Sequence, residues 1–538
     1  MRFYREGIKL RKYLLPLLLG LLLLTSASMA LGAEDAELGQ NGLDGYPIET
    51  AQGAVKEQPY QNGMDGYRIV VPGDWIIDDS HKGTMTRLTA PDEKAVIKIF
   101  AQPLQGISAA DYIEYGNRNI IQQKDGVKLL AQNRRPVNGI QAYRLMWERP
   151  RLSNIENDLN IYREIDLIFS GQVYTLVLKT NYENYERYNP VFDSILGSFQ
   201  RVPIVPEYPV VEYQAINDIE LKGKTMQIDI PKDKMMWGIF HPLFHPYVFY
   251  PQAIKDYKDY EDSLGHKFEF IMTYTEFYKA FPAQLVADTY ADGRIMMMTW
   301  APFKEQGQND VLIPSIANGD WDPYISEWAR QVKNVEEPVF VRFGNEMNGD
   351  WIPWCDWFFS KDADLYVQAW QRIHKIFKEQ GVDNAIFVWN PHDRSFPDFK
   401  WNSAELYYPG EEYVDWVGLT GYNNGTGYYG ETWRNFNEIY QSVYNEYLLK
   451  YPGKPFMITE FSSSELGGDK IAWINQTMTT LRWYPNIRMA VWYDQTDGKR
   501  LYRIDSTPAS KEAFRQGLTN PYYLKDGIKI QPADGVKK

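Results

Sequence analysis

The segment Pro338-Val-Phe-Val-Arg-Phe-Gly-Asn-Glu-Met-Asn-Gly-Asp-Trp-Ile-Pro-Trp354 changes character in its middle. Its first part, 339–343, is apolar and β-branched, which predicts a buried strand. A glycine, an amide and a carboxylate follow at once, and Trp351 and Trp354 come shortly after. Indole suits the apolar faces of sugar rings, whereas amides and carboxylates suit hydroxyl groups. The segment therefore predicts a core strand ending in a sugar site, and a solvated loop with two incidental tryptophans is the alternative.

The chain beyond residue 215 alternates apolar strand candidates with stretches of helical periodicity. Strands are predicted at 235–240, 268–273, 294–300, 339–343, 385–389, 414–420, 455–459 and 487–492. Helix-periodic stretches such as 362–380 and 433–450 lie between most of them. Eight strands with intervening helices over roughly 300 residues are typical of a (β/α)8 barrel. The fold class is therefore predicted as α/β, a TIM barrel over 216–520 preceded by a smaller α+β domain.

That smaller domain is predicted over 61–202, as an antiparallel sheet with helices. Its strand candidates are 67–71, 95–100, 141–148, 161–169 and 172–179, and its helix candidates are 109–123 and 190–198. The opening Tyr67-Arg-Ile-Val-Val-Pro-Gly-Asp-Trp75 and the closing Tyr188-Asn-Pro-Val-Phe-Asp-Ser-Ile-Leu-Gly-Ser-Phe199 resemble the PsbP-like module. No carboxylate pair or histidine cluster stands out in it, so we expect an accessory role.

Three prolines in Val202-Pro-Ile-Val-Pro-Glu-Tyr-Pro209 predict a stiff linker over 203–215. We expect a domain junction there, crossed by few contacts. Residues 31–60, acidic and poor in apolar side chains, are predicted to be a linker, and the polar residues 521–538 a peripheral tail.

The first 30 residues have the pattern of a secretory signal peptide. A basic region precedes the apolar run 14–24, and small residues follow at Ser28-Met-Ala30. The run is too short to span a bilayer comfortably, which favours cleavage over a retained anchor. We therefore expect a bacterial protein that is secreted or held at the cell surface, with no stable membrane span after cleavage.

Composition narrows the partners. The formal net charge of −13 argues against nucleic acid or an anionic membrane. The 17 Trp and 39 Tyr fit stacking on carbohydrate, although aromatic residues also build cores. The single cysteine, Cys355, excludes an intrachain disulfide and is expected to pack, and the six histidines show no HExxH spacing. We predict no metal and no cofactor, and the oligomeric state is left open.

Chemistry in such a barrel lies where the strands end at their C-terminal face. The fourth predicted strand ends at Glu346, the sixth at Tyr422, the seventh at Glu460 and the eighth at Trp492 and Tyr493. Strands four and seven lie across the barrel mouth from each other. Glycosidic bond cleavage requires two carboxyls around one sugar, one to protonate the leaving oxygen and one to attack the anomeric carbon or activate water.

Three stretches resemble the fourth, sixth and seventh strands of glycoside hydrolase family 26. They are Arg342-Phe-Gly-Asn-Glu-Met-Asn-Gly-Asp-Trp351, Asp415-Trp-Val-Gly-Leu-Thr-Gly-Tyr-Asn423 and Lys454-Pro-Phe-Met-Ile-Thr-Glu-Phe461, and the likeness extends over about 230–515. The resemblance implies that Glu346 is the acid/base and Glu460 the nucleophile of a retaining endo-β-glycosidase. It also implies substrate-site roles for Arg342 and Tyr422 as supports of the nucleophile, Trp492 as the subsite floor, and Trp351 or Trp354 as a stacking platform.

Asn345 departs from the family pattern, which usually has histidine before the acid/base. The wider clan of related barrels commonly has Asn-Glu there, with the amide on the sugar 2-hydroxyl, which is axial in mannose and equatorial in glucose and xylose. The family favours β-mannan, whereas Asn345 leaves β-glucan, xylan and bacterial exopolysaccharides open. The alternative from a different functional class is a barrel that binds polysaccharide without cleaving it.

Other residues are weaker candidates for contact with substrate. Trp300 lines the cleft or fills the barrel rim. His241 and His245 follow the first strand, and Asn390-Pro-His-Asp393 follows the fifth.

Overall fold

The computed structural model describes residues 56–207, 214–246, 248–304 and 310–530. The predicted signal peptide, most of the first predicted linker and residues 531–538 lie outside these ranges. Within them, no helix is both long enough and apolar enough to cross a membrane.

The N-terminal part is an antiparallel α+β unit, as predicted. Its strands are β1 (Glu57–Asn62), β2 (Tyr67–Pro72), β3 (Ile76–Asp78), β4 (Thr86–Thr89), β5 (Ala95–Pro103), β6 (Lys128–Asn133), β7 (Ala142–Glu148), β8 (Ile161–Phe169), β9 (Gln172–Thr180) and β10 (Gln200–Arg201), and its helices are α1 (Ala109–Ile121) and α2 (Tyr182–Gly197). Strands β3–β9 form one sheet in the order β3-β4-β5-β9-β8-β7-β6, and β1, β2 and β10 form another. Helix α2 buries Phe192 and Ile195 in a core with sheet residues such as Ile97 and Leu176.

The C-terminal part is a closed parallel barrel, which confirms the predicted fold class. After β11 (Ile219–Lys222) and β12 (Met226–Ile230), the barrel strands are β13 (Met236–Phe240), β14 (Phe270–Glu276), β15 (Ile295–Ala301), β16 (Val339–Phe343), β17 (Ala385–Trp389), β18 (Trp416–Thr420), β19 (Phe456–Phe461) and β20 (Ile487–Tyr493). The helices are α3 (Ala253–Leu264), α4 (Ala283–Ala291), α5 (Ile313–Asn318), α6 (Asp322–Val335), α7 (Ala363–Glu379), α8 (Phe436–Lys450), α9 (Lys470–Thr480) and α10 (Pro508–Gly517). Three short strands follow β20, namely β21 (Thr496–Asp497), β22 (Arg500–Leu501) and β23 (Ile528–Ile530).

Two segments that the sequence places outside the domains form strands. Residues 57–60, predicted as linker, belong to β1, which pairs antiparallel with β2. Residues 528–530, predicted as tail, form β23, which pairs with β12 below the barrel. A backbone ladder needs few apolar side chains, so composition alone misses such strands.

The expectation of few contacts between the two parts is wrong. Phe100, Tyr112 and Trp147 of the N-terminal unit share one buried apolar cluster with Trp357 and Trp401 of the barrel. The proline-rich segment marks where the chain passes from one part to the other, but it carries no information about the faces that then pack together.

Candidate active site

The side chain of Glu460, in β19, accepts hydrogen bonds from three donors. Its Oε1 accepts hydrogen bonds from Arg342 Nη1 and from the Tyr274 hydroxyl. Its Oε2 accepts one from the Tyr422 hydroxyl at 2.6 Å. Three hydrogen bonds, one of them from a guanidinium, give this carboxylate a fixed orientation.

Arg342 supplies the positive charge of the site from inside the barrel. Its side chain is fully buried, and its Nε donates to Asn390 Oδ1 at 2.6 Å. The two Nη groups also donate to Thr299 Oγ1 at 3.0 Å and to Thr420 Oγ1 at 3.2 Å. The guanidinium therefore connects side chains from several neighbouring strands. A buried cation is tolerated when it is paired and hydrogen-bonded in this way.

Glu346 follows β16, three strands from β19, which carries Glu460, and its surroundings favour the protonated form of its carboxyl. It is 6% exposed, and its backbone adopts a left-handed φ of 57° directly after β16. Burial and the nearby Glu460 charge raise the pKa of its carboxyl to about 8, although Arg342 opposes the shift. At neutral pH the Glu346 carboxyl therefore holds its proton, as a general acid must.

Trp351 and Trp354 have different positions in the loop after β16. The Trp351 indole is partly exposed and donates to Glu346 Oε2 at 3.2 Å, so it borders the carboxyl pair. Trp354 is buried, donates to the Asn345 carbonyl at 2.6 Å and stacks on Phe303. Trp354 thus fixes the backbone of Asn345 and is not available for stacking on a sugar.

The prediction that Trp492 floors a subsite is wrong. Trp492 is fully buried, donates to the Tyr502 carbonyl at 2.9 Å and packs against Trp473 and Phe514. The next residue, Tyr493, is partly exposed instead and meets Tyr422 edge-on at 5.8 Å. Successive side chains point to opposite sides of a strand. Trp492 therefore faces the surrounding helices, and Tyr493 faces the site.

Trp300 and His241, two further candidates for contact with substrate, are buried among other side chains. Trp300 is fully buried and stacks on Trp328 of α6, with 4.4 Å between the ring centroids. It therefore fills the barrel rim and does not line the cleft. His241 is buried, and its Nδ1 accepts from the Leu243 backbone N–H. Burial lowers the pKa of His241 to about 4, so its ring is neutral at neutral pH. Cys355, expected to pack, is fully buried.

The segment after β17 contributes in two ways. Asn390 belongs to the Arg342 network. His392 packs edge-on against the Trp351 indole at 5.1 Å, and burial lowers its pKa. Asp393 forms an ion pair with Arg434 at 2.6 Å.

Sequence reasoning missed Tyr274, and it named Tyr493 at the end of the eighth strand without giving it a role. The predicted second strand stopped at residue 273, one residue short of Tyr274. Tyr422 is likewise a tyrosine at the end of a barrel strand, so extending the second strand by one residue would have found Tyr274. Among the described residues no group of His, Cys, Asp or Glu side chains is arranged to hold a metal ion.

A closed barrel with two unlike carboxyls at its strand ends is the arrangement that barrel glycoside hydrolases use to cleave glycosidic bonds. Residues 313–450 match the model of Glycosyl hydrolase family 26. Endoglucanase H of Acetivibrio thermocellus is 31% identical over 290 residues, covering 52% of this chain and 31% of that protein. A mannan endo-1,4-beta-mannosidase of Bacillus subtilis is 33% identical over 213 residues, covering 37% of this chain and 52% of that protein. The barrel is therefore similar to glycosyl hydrolase family 26, and residues 313–450 carry the match to the family model.

The chain thus spans about a third and a half, respectively, of the lengths of these two relatives. Among solved structures, a GH26 beta-mannanase from Bacteroides ovatus has a TM-score of 0.40 and 17% identity over 55% of this chain and 91% of its own. The cyanobacterial PsbP of Synechocystis has a TM-score of 0.23 and 18% identity over 29% of this chain and 98% of its own.

Proposed function

We propose that this protein is an exported, retaining endo-glycosidase that hydrolyses a β-linked polysaccharide. The observation that carries the proposal is the asymmetry of the pair, in which Glu346 is protonated at neutral pH and Glu460 is an oriented carboxylate. In this role Glu346 gives its proton to the leaving oxygen while Glu460 attacks the anomeric carbon. Water then cleaves the glycosyl-enzyme as Glu346 takes a proton back.

Retention rests on the bonding of Glu460 as well as on the family resemblance. An inverting enzyme needs a second carboxylate that removes a proton from water. Three donors hold the two oxygens of Glu460 in a fixed orientation, which suits direct attack on the anomeric carbon.

The two relatives described above name β-mannan and β-glucan as substrate classes. One similar protein is described as an endoglucanase and another as a mannan endo-1,4-beta-mannosidase. Gluco-configured chains remain candidate substrates because the amide of Asn345 can both donate a hydrogen bond to a sugar hydroxyl and accept one from it. Export rests on the signal-like N-terminal sequence.

The test is hydrolysis of β-mannan, glucomannan, β-glucan and xylan by wild type, Glu346→Gln and Glu460→Gln, with product anomers followed by NMR. We expect reducing ends from at least one β-linked polymer, first formed with the substrate's configuration, and severe loss in both variants. Wild-type activity in both variants would refute the site. Binding without hydrolysis by the wild type would favour a polysaccharide-binding barrel instead.

A further inference from the structure

The loop that follows β16, residues 344–362, joins the carboxyl pair to the N-terminal domain. It carries Glu346 and Trp351 at one end and leads into α7 at the other. Ser360 and Lys361, next to that second end, both have left-handed φ values of 71° and 52°. Non-glycine residues adopt such backbone only when their surroundings hold them there, because each costs on the order of 1 kcal/mol or more.

The surroundings that hold the far end of this loop come from the N-terminal domain. The Lys361 ammonium donates to Asn117 Oδ1 at 2.6 Å and pairs with buried Glu164. The next residue, Asp362, accepts from the Tyr162 hydroxyl at 2.6 Å and pairs with Lys179 at 2.7 Å. These groups are largely buried, so the interactions are weakly screened by solvent.

Helix α1 holds the middle of the loop. The Tyr115 ring stacks on Trp357 with 5.1 Å between ring centroids and 9° between planes. The Trp357 indole donates to the Tyr115 carbonyl at 2.9 Å, and Asn119 Nδ2 donates to the Trp357 carbonyl at 2.9 Å. Ring stacking and two hydrogen bonds fix the position of this segment relative to α1.

One contact from α1 reaches towards the carboxyl pair. The Tyr115 hydroxyl donates to Asp350 Oδ2. Asp350 directly precedes Trp351, whose indole N–H donates to Glu346 Oε2 at 3.2 Å. There is little free space behind the indole, since a Cβ added at Gly349 would lie 2.5 Å from the Trp351 ring. A displacement of Asp350 is therefore passed to the indole and to the carboxyl that it contacts.

We propose that the N-terminal domain is a working part of the active site, in which Tyr115 acts through Asp350 to position Trp351 against the acid/base Glu346. This inference rests on the proposed function of Glu346. It replaces the expected accessory role of the domain with a positioning role, and Tyr115 is a positioning residue that does not itself contact the reacting atoms.

The test compares Tyr115→Phe with Tyr112→Phe in the full-length protein. The first change removes the hydroxyl on Asp350 and keeps the ring on Trp357. The second, one turn earlier on α1, removes a buried hydroxyl that contacts Thr175 inside the N-terminal domain. Tyr112→Phe is thus a matched control for loss of a tyrosine hydroxyl from the same helix.

We expect kcat to fall about tenfold in Tyr115→Phe with KM changed less than twofold, because misplacement of a reacting group affects turnover more than binding. Hydrogen–deuterium exchange over residues 350–362 should be faster in that variant, and Tyr112→Phe should match wild type in both measurements. Wild-type kcat in Tyr115→Phe, or equal losses in the two variants, would overturn the proposal. A wild type inactive on every polysaccharide refutes the proposed function, whereas the exchange measurement still shows whether Tyr115 holds the loop.

Discussion

Replacing Glu346 with glutamine should change how the stability of the protein depends on pH. The folded state raises the pKa of this carboxyl from 4.5 to about 8. Between these values the unfolded chain releases the proton and the folded protein retains it, so stability is lost as pH rises through this interval. Each pH unit within it corresponds to about 1.4 kcal/mol, so the ionised carboxyl costs the folded state on the order of 5 kcal/mol above pH 8.

A glutamine amide has no proton to lose, so the Glu346→Gln variant avoids this cost. Its free energy of unfolding should be close to that of wild type near pH 4.5 and higher by several kcal/mol near pH 9. Thermal unfolding of both proteins at these two pH values measures the effect, and the difference in Tm should widen by several degrees. Glu114→Gln, at an exposed position on α1, is the control for replacing a glutamate by glutamine outside the site.

The same carboxyl predicts the alkaline limit of activity. An acid that ionises near pH 8 should place the falling limb of kcat/KM at that pH. A Tm difference between wild type and Glu346→Gln that is the same at both pH values, together with full activity at pH 10, would refute the reasoning.

Three further predictions concern neighbouring residues. Tyr422→Phe removes one of the donors to Glu460, so kcat should fall about 10- to 100-fold with Tm little changed, as steady-state kinetics and thermal unfolding will show. Trp492→Phe should lower the free energy of unfolding by about 1–3 kcal/mol and leave KM unchanged. Tyr493→Ala should raise KM. The reverse pattern would show that Trp492, and not Tyr493, forms the floor of the subsite. Asn345→His should shift kcat/KM on matched oligosaccharides from gluco towards manno configuration, and a wild type that strongly prefers mannan with no shift in the variant would exclude a role for the amide in this choice.

The sequence by itself determined the barrel and the types of residue at its strand ends. Alternating apolar strands and helical stretches predict parallel strands covered by helices, which bury both patterns, and the number of strands predicts the eight-stranded barrel. The change from Val339–Phe343 to a glycine, an amide and Glu346 marks a strand end locally, and Glu460 is marked in the same way. These inferences depend on neighbours along the chain, where residue type and period carry the information.

The tertiary structure alone decided which side chains face the site and how they ionise. Trp492 and Tyr493 differ by one position, and strand parity cannot be counted when the strand end is uncertain by a residue. The raised pKa of Glu346 arises from burial and from the charge of Glu460, more than 100 residues away in the chain. The contact of Tyr115 with Asp350 joins residues 235 positions apart in the chain. No periodic pattern in the sequence indicates which surfaces of the two parts pack together. Through-space proximity therefore determined the ionisation, the packing and the part that the N-terminal domain has in the site.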